Sequence, residues 1–186
     1  MKRILLAAAA ALCLPATALG AGPQVTLPQG TLEGITQYTI DSFKGIPYAA
    51  PPVGALRWRA PQAAAPWRGV RLVDRFAPDC MQVPVAWDDA PSTVKPAEDC
   101  LYRNVWRPGA AKPGQKLPVM VWIHGGGFVN GGTSPEIYDG SEFARDGVIL
   151  VSINYRLGRF GFFAFPELSR QDADHGLLGN YAYMDQ

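Results

Sequence analysis

"LPVMVWIHGGGFVNGG" runs from Leu117 to Gly132. Its first nine residues are an almost unbroken apolar run, rich in β-branched side chains and closed by glycine. That is the pattern of a strand buried on both faces. "GVILVSINYR" (Gly147 to Arg156) repeats it thirty residues later. Between the two lies "SPEIYDGSEFARDG", with a short helix expected around Ser141 to Arg145. Strand, loop, helix, strand is an α/β order.

The glycines that end the first strand have no side chains to contribute, so their use must lie in the backbone. Glycine reaches positive φ at low cost and lets another molecule come close. Main-chain N–H groups that converge on one point can hold the oxyanion of an acyl-transfer intermediate. Each such donor is worth about 2.7–4 kcal/mol of barrier. A glycine run just after a buried strand puts its donors at the carboxyl edge of the sheet, where α/β proteins bind ligands. Phosphate-binding loops are a poor match, since neither G-x-x-x-x-G-K-[ST] nor G-x-G-x-x-G fits Gly125 to Gly132. A tightly packed turn without chemistry is the bland alternative.

Working back towards the N-terminus, "VTLPQGTLEGI" (Val25 to Ile35) reads as a hairpin around Pro28, Gln29 and Gly30. "YTIDSFKGIPYA" (Tyr38 to Ala49) reads as a strand and its exit. "APPVGALRWRAPQ" (Ala50 to Gln62) holds too much proline for a helix or a central strand. Pro78, Pro84, Pro91 and Pro96 keep the next stretch loop-like. "CLYRNVWRP" (Cys100 to Pro108) alternates as a strand does. Tyr181 to Gln186 reads as the start of a helix.

Residues 1–20 stand apart from the fold. Lys2 and Arg3 precede an apolar run, Ile4 to Leu14, and Ala18 and Gly20 occupy the two small-residue positions of a cleavage site. This is the layout of a secretory signal peptide, and it implies a secreted or periplasmic protein. The run is shorter than the roughly 20 residues that span a bilayer, and no later segment is long and apolar enough. Removing residues 1–20 leaves 15 basic and 16 acidic side chains, a net charge of −1. Composition is otherwise globular, with 48% hydrophobic and 18% charged residues in 186. The length fits one domain or part of a larger one. No clustered basic surface points to nucleic acid. The cysteines left after cleavage, Cys80 and Cys100, read as a disulfide in an exported chain, with two free buried thiols as the alternative. They lack the neighbours that a zinc site would need.

Five blocks carry a resemblance to a known family. They are "FKGIPYAAPPVGALRWRAP" (Phe43 to Pro61), "EDCLYRNVWRP" (Glu98 to Pro108), "LPVMVWIHGGGFVNG" (Leu117 to Gly131), "VILVSINYRLGRFGFF" (Val148 to Phe163) and "GNYAYMDQ" (Gly179 to Gln186). Residues 21–186 resemble the N-terminal portion of a type B carboxylesterase, the family that includes the cholinesterases. The resemblance implies the α/β-hydrolase fold, with only the N-terminal part of its sheet here. Arg103 replaces the usual leucine, and "NYAYMDQ" varies the usual N-x-G-L-x-D-Q. By this resemblance Gly126 and Gly127 would donate oxyanion-hole N–H groups, and Gly125 would shape the turn. His124 would be structural. Arg57 would pair with Glu98, and Arg156 with Asp185, both as structural ion pairs. Breaking a buried pair of this kind costs about 3–5 kcal/mol. Cys80 and Cys100 match the family's N-terminal disulfide. Trp87 would line or cover the gorge. The implied substrate is a small-molecule ester, with no cofactor and no metal.

The chain contains no G-x-S-x-G. Ser134 and Ser141 are not on a strand-to-helix elbow, and the two histidines, His124 and His175, complete no triad. In the family the nucleophile elbow follows soon after the "DQ" that stands here at 185–186. These residues therefore read as the first third of a longer serine esterase, inactive by themselves and prone to associate through exposed apolar edges. A non-catalytic, cholinesterase-like binding or adhesion module is the alternative. An unrelated exported α/β cofactor binder is a third.

Overall fold

The computed structural model describes residues 21–85, 89–171 and 179–186. The expected signal peptide, Trp87 and His175 lie outside the described residues.

The hairpin read around Pro28 is formed by β1 (Gln24–Leu27) and β2 (Gly30–Glu33), antiparallel with Leu27 opposite Gly30. The short β5 (Val70–Leu72) adds parallel to β2 and completes a small three-stranded sheet. The second sheet is the framework of the site. It contains β3 (Ile35–Gln37), β4 (Ile40–Pro47), β6 (Tyr102–Pro108), β7 (Val119–Ile123) and β8 (Ile149–Ile153), in the order β3-β4-β6-β8-β7. The pairs β3–β4, β4–β6 and β6–β8 are antiparallel, and β7 and β8 are parallel, with Val121 opposite Val151. The connection between β7 and β8 contains α1 (Ser141–Arg145), the helix expected there from the sequence.

One face of this sheet is covered by α1, whose Ala144 packs with Trp106, Leu150 and Ile40. The helix comes so close that a Cβ on Gly140, just before it, would stand 2.6 Å from Leu150 and 2.8 Å from Trp106. The small sheet covers part of the other face, where Leu32 and Val73 meet Phe43 and Ile46. Among the described residues, three further short helices follow β8: α2 (Gly158–Gly161), α3 (Pro166–Gln171) and α4 (Tyr181–Asp185).

The expectation that β7 is buried on both faces is not met within this chain. Val119 and Val121 are each 59% exposed, and Met120 on the opposite face is 42% exposed. The reason is position. Strand β8 has neighbours on both sides, whereas β7 is the end strand of the sheet and α1 lies over β4, β6 and β8.

Candidate active site

The glycine run begins where β7 ends, and three features set its shape. Gly126 has φ +102° and Gly127 φ +59°, both in the region that favours glycine. The carbonyl of Gly126 accepts the N–H groups of Val129 (3.0 Å) and Asn130 (3.3 Å), which closes a tight turn. A Cβ on Gly126 would stand 1.9 Å from the Asn130 carbonyl oxygen, so glycine is required there. Gly131 closes against the incoming limb in the same way. A Cβ on it would stand 2.6 Å from the Gly125 oxygen and 2.5 Å from His124 Nδ1.

These contacts fix where the N–H groups point. In a trans peptide the carbonyl and the following N–H are antiparallel, and the described chain has no cis bond. The Gly125 oxygen faces inward, towards His124 Nδ1 (2.9 Å) and Gly131. The Gly126 oxygen faces into the turn. The N–H groups of Gly126 and Gly127 therefore both face away from it. Among the described residues neither has a hydrogen-bond partner. No heavy atom comes within 4 Å of a Cβ placed on Gly127. Two adjacent donors thus stand open at the carboxyl end of a parallel strand.

His124 lies beneath them and is buried. Its ring stacks on Tyr155 at 4.2 Å, and the Tyr155 hydroxyl donates to the His124 carbonyl at 2.6 Å. Burial pushes the imidazole below its ordinary pKa and the Tyr155 phenol above its own. A neutral ring with its proton on Nδ1, donated to the Gly125 oxygen, leaves Nε2 a bare lone pair. Among the described residues that buried Nε2 has no donor, so it is an acceptor left unpaired. An imidazole so enclosed is shielded from solvent within this chain. Phe128, also at positive φ, packs edge-on to Phe162 and beside Tyr183, and its carbonyl accepts the Gly158 N–H at 2.7 Å.

The outgoing limb of the loop is tied down by a buried polar group. The Asp79 carboxylate accepts the N–H groups of Thr133 (3.0 Å) and Ser134 (3.3 Å) and the hydroxyls of Ser134 (2.5 Å) and Ser92 (2.6 Å). Asn154 Oδ1 also accepts the Thr133 N–H, and Asn104 Nδ2 donates to the Thr133 hydroxyl. Sequence reading missed Asp79, Asn104 and Asn154. An acid beside a disulfide cysteine is no signal until its donors, Ser92 and the distant Thr133 and Ser134, are known.

Cys80 and Cys100 form a disulfide. Arg156 and Asp185 meet in a bidentate pair, Nε to Oδ2 at 2.8 Å and Nη2 to Oδ1 at 2.7 Å, with side chains 3% and 0% exposed. Arg57 and Glu98 also meet bidentately, at 2.5 and 2.7 Å, but their side chains are 36% and 24% exposed. The magnitude expected for a buried pair therefore belongs to Arg156–Asp185 and does not extend to Arg57–Glu98. Ser134 is fully buried, Ser141 starts α1, and among the described residues neither is hydrogen-bonded to a histidine. No group of three or more His, Cys, Asp or Glu among the described residues could hold a metal.

A sequence model of the Carboxylesterase family matches residues 21–186. This chain belongs to the carboxylesterase family. Relatives of this carboxylesterase-family chain include the fumonisin B1 esterase of Sphingopyxis macrogoltabida, 42% identical over 92% of the chain and 32% of the relative. The para-nitrobenzyl esterase of Bacillus subtilis (strain 168) is 41% identical over 85% of the chain and 32% of its own length. A solved structure of PNB esterase superposes with a TM-score of 0.74 at 41% identity, covering 88% of this chain and 32% of that one. The chain is thus an incomplete α/β-hydrolase sheet and spans about a third of the length of these relatives.

Proposed function

We propose that this chain is the N-terminal part of an exported serine carboxylic ester hydrolase. In this reading Gly126 and Gly127 stabilise the oxyanion, and a serine beyond Gln186 attacks the ester carbonyl. The observation that carries the reading is the pair of unpartnered, outward-facing N–H groups after β7. Family membership and the names of the relatives, both esterases, support it.

The steps follow from acyl-transfer chemistry. The serine forms a tetrahedral adduct with a small-molecule ester. Its negative oxygen is held by the two glycine donors and one further N–H. Collapse expels the alcohol, and water then releases the acid from the acyl-enzyme. The buried imidazole of His124 takes no part. The 186 residues alone are expected to turn over no ester, because they contain no G-x-S-x-G. Export to the periplasm or medium is supported by the pattern of residues 1–20 and by the Cys80–Cys100 disulfide.

The test uses the product of the source gene as the cell makes it. It is incubated with a p-nitrophenyl ester and with a fluorophosphonate that labels activated serines. Hydrolysis, and a label mapped by mass spectrometry to a serine beyond residue 186, are expected. A product that neither hydrolyses esters nor takes the label would overturn the reading and favour a non-catalytic binding module.

A further inference from the structure

The glycine loop touches the disulfide-bearing segment through one side chain whose contacts are paired. Gln82 Nε2 donates to the Gly131 carbonyl at 2.6 Å, and Gln82 Oε1 accepts the Gly131 N–H at 2.8 Å. The same Nε2 donates to the Cys80 carbonyl at 3.0 Å. A primary amide thus reads both backbone groups of one glycine while its own stem is held two residues from a disulfide. Gly131 has φ +115° and sits directly against the Gly125 oxygen and the His124 ring. Moving Gly131 therefore moves the surface against which the Gly125 carbonyl and the His124 ring pack, at the entry to the glycine turn.

We propose that Gln82 is a positioning residue for the oxyanion loop, holding Gly131 so that the N–H groups of Gly126 and Gly127 stay turned outward. The proposal rests on the oxyanion reading of those two glycines. The chain of support is continuous. Cys100 lies two residues before β6, a strand flanked on both sides in the main sheet. The disulfide ties Cys80 to it. Gln82 and Asp79, on either side of Cys80, then grip the loop at Gly131 and at Thr133–Ser134. The two grips differ in kind. Asp79 is buried and holds the loop's exit into the protein interior, whereas Gln82 holds the limb that packs on Gly125 and His124. Preset donors lower a barrier only while they need no reorganisation, so a released Gly131 is expected to lower kcat and leave substrate affinity nearly untouched.

The experiment compares the full gene product with its Gln82→Met and Gln82→Glu variants. Methionine keeps the length and removes both hydrogen bonds to Gly131. Glutamate keeps an acceptor for its N–H and loses the donor. Kinetics on a p-nitrophenyl ester are read together with hydrogen exchange of the hydrogen-bonded amides of Val129, Asn130 and Gly131. Gln82→Met is expected to lower kcat at least tenfold with KM changed less than twofold, and to speed loop exchange at least tenfold. Gln82→Glu is expected to fall between, and it carries the test if Gln82→Met does not fold. Unchanged loop exchange, or a raised KM with kcat preserved, overturns the proposal. If the wild-type product hydrolyses no ester, the functional reading fails separately. Exchange then decides the clamp alone, faster exchange in the variants upholding it and unchanged exchange overturning it.

Discussion

At the scale of single residues, neighbouring glycines carry different constraints, and substitution separates them. Gly126→Ala places a methyl 1.9 Å from a backbone oxygen at a φ of +102°, so the turn must open. Ester hydrolysis by the full product is expected to drop by at least a hundredfold, a loss on the scale of one oxyanion donor. Gly127→Ala meets nothing within 4 Å, and its cost is the left-handed backbone alone, about 1–2 kcal/mol. A melting curve for each variant checks the order, and equal destabilisation would refute it. His124 makes a second prediction. Its folded pKa is depressed by burial, so below its ordinary value of 6.5 the unfolded chain binds the proton more tightly than the folded one. Stability from this group is complete above pH 6.5 and is lost as the pH falls from there through the folded value. Unfolding midpoints of wild type and His124→Gln between pH 8 and 5 should converge as the solution becomes acid, if both remain folded. Parallel curves would remove His124 from the account.

At the scale of elements, the two ion pairs divide by burial. Arg156 anchors the exit of β8 to α4 through Asp185 and also donates its backbone N–H to the same carboxylate at 3.0 Å. Asp185→Ala leaves a buried guanidinium without its counter-charge, and a loss of about 3–5 kcal/mol is expected. Glu98→Ala opens a pair already wet and should move a urea midpoint far less. Equal shifts would contradict the assignment. The strands that sequence reading found were those whose side chains alternate or run apolar on their own account, such as Tyr102 to Pro108 and Ile149 to Ile153. It missed β3 and β5, three residues each, because their backbone is ordered by a partner: Ile35 by Ser42, Val70 by Thr31. The turn at Gly125–Gly127 was legible because glycine itself is the signal. The Gln82 clamp was not, because it joins residues 49 apart and neither residue type is unusual where it stands.

At the scale of the whole molecule, the distribution of cover decides behaviour. The crossover helix protects one face over β4, β6 and β8, and the small sheet protects the other over Phe43 and Ile46. On the helix side only Trp122 of β7 joins that core, and on the other face Val119, Val121 and Ile123 stand open to water. An apolar run composed like a central strand but placed at the end of a sheet offers unpaired N–H and C=O groups beside an uncovered hydrophobic surface. Both features invite another chain. Residues 21–186 expressed by themselves are therefore expected to associate above micromolar concentration. A single charge in the middle of the exposed face, Val121→Lys, should reduce that association without touching the glycine loop, because the lysine of an edge strand resists pairing. Light scattering across a dilution series distinguishes the cases. A wild-type fragment that is monodisperse and melts cooperatively would mean that β7 needs no further cover. Association unchanged by Val121→Lys would place the sticky surface elsewhere.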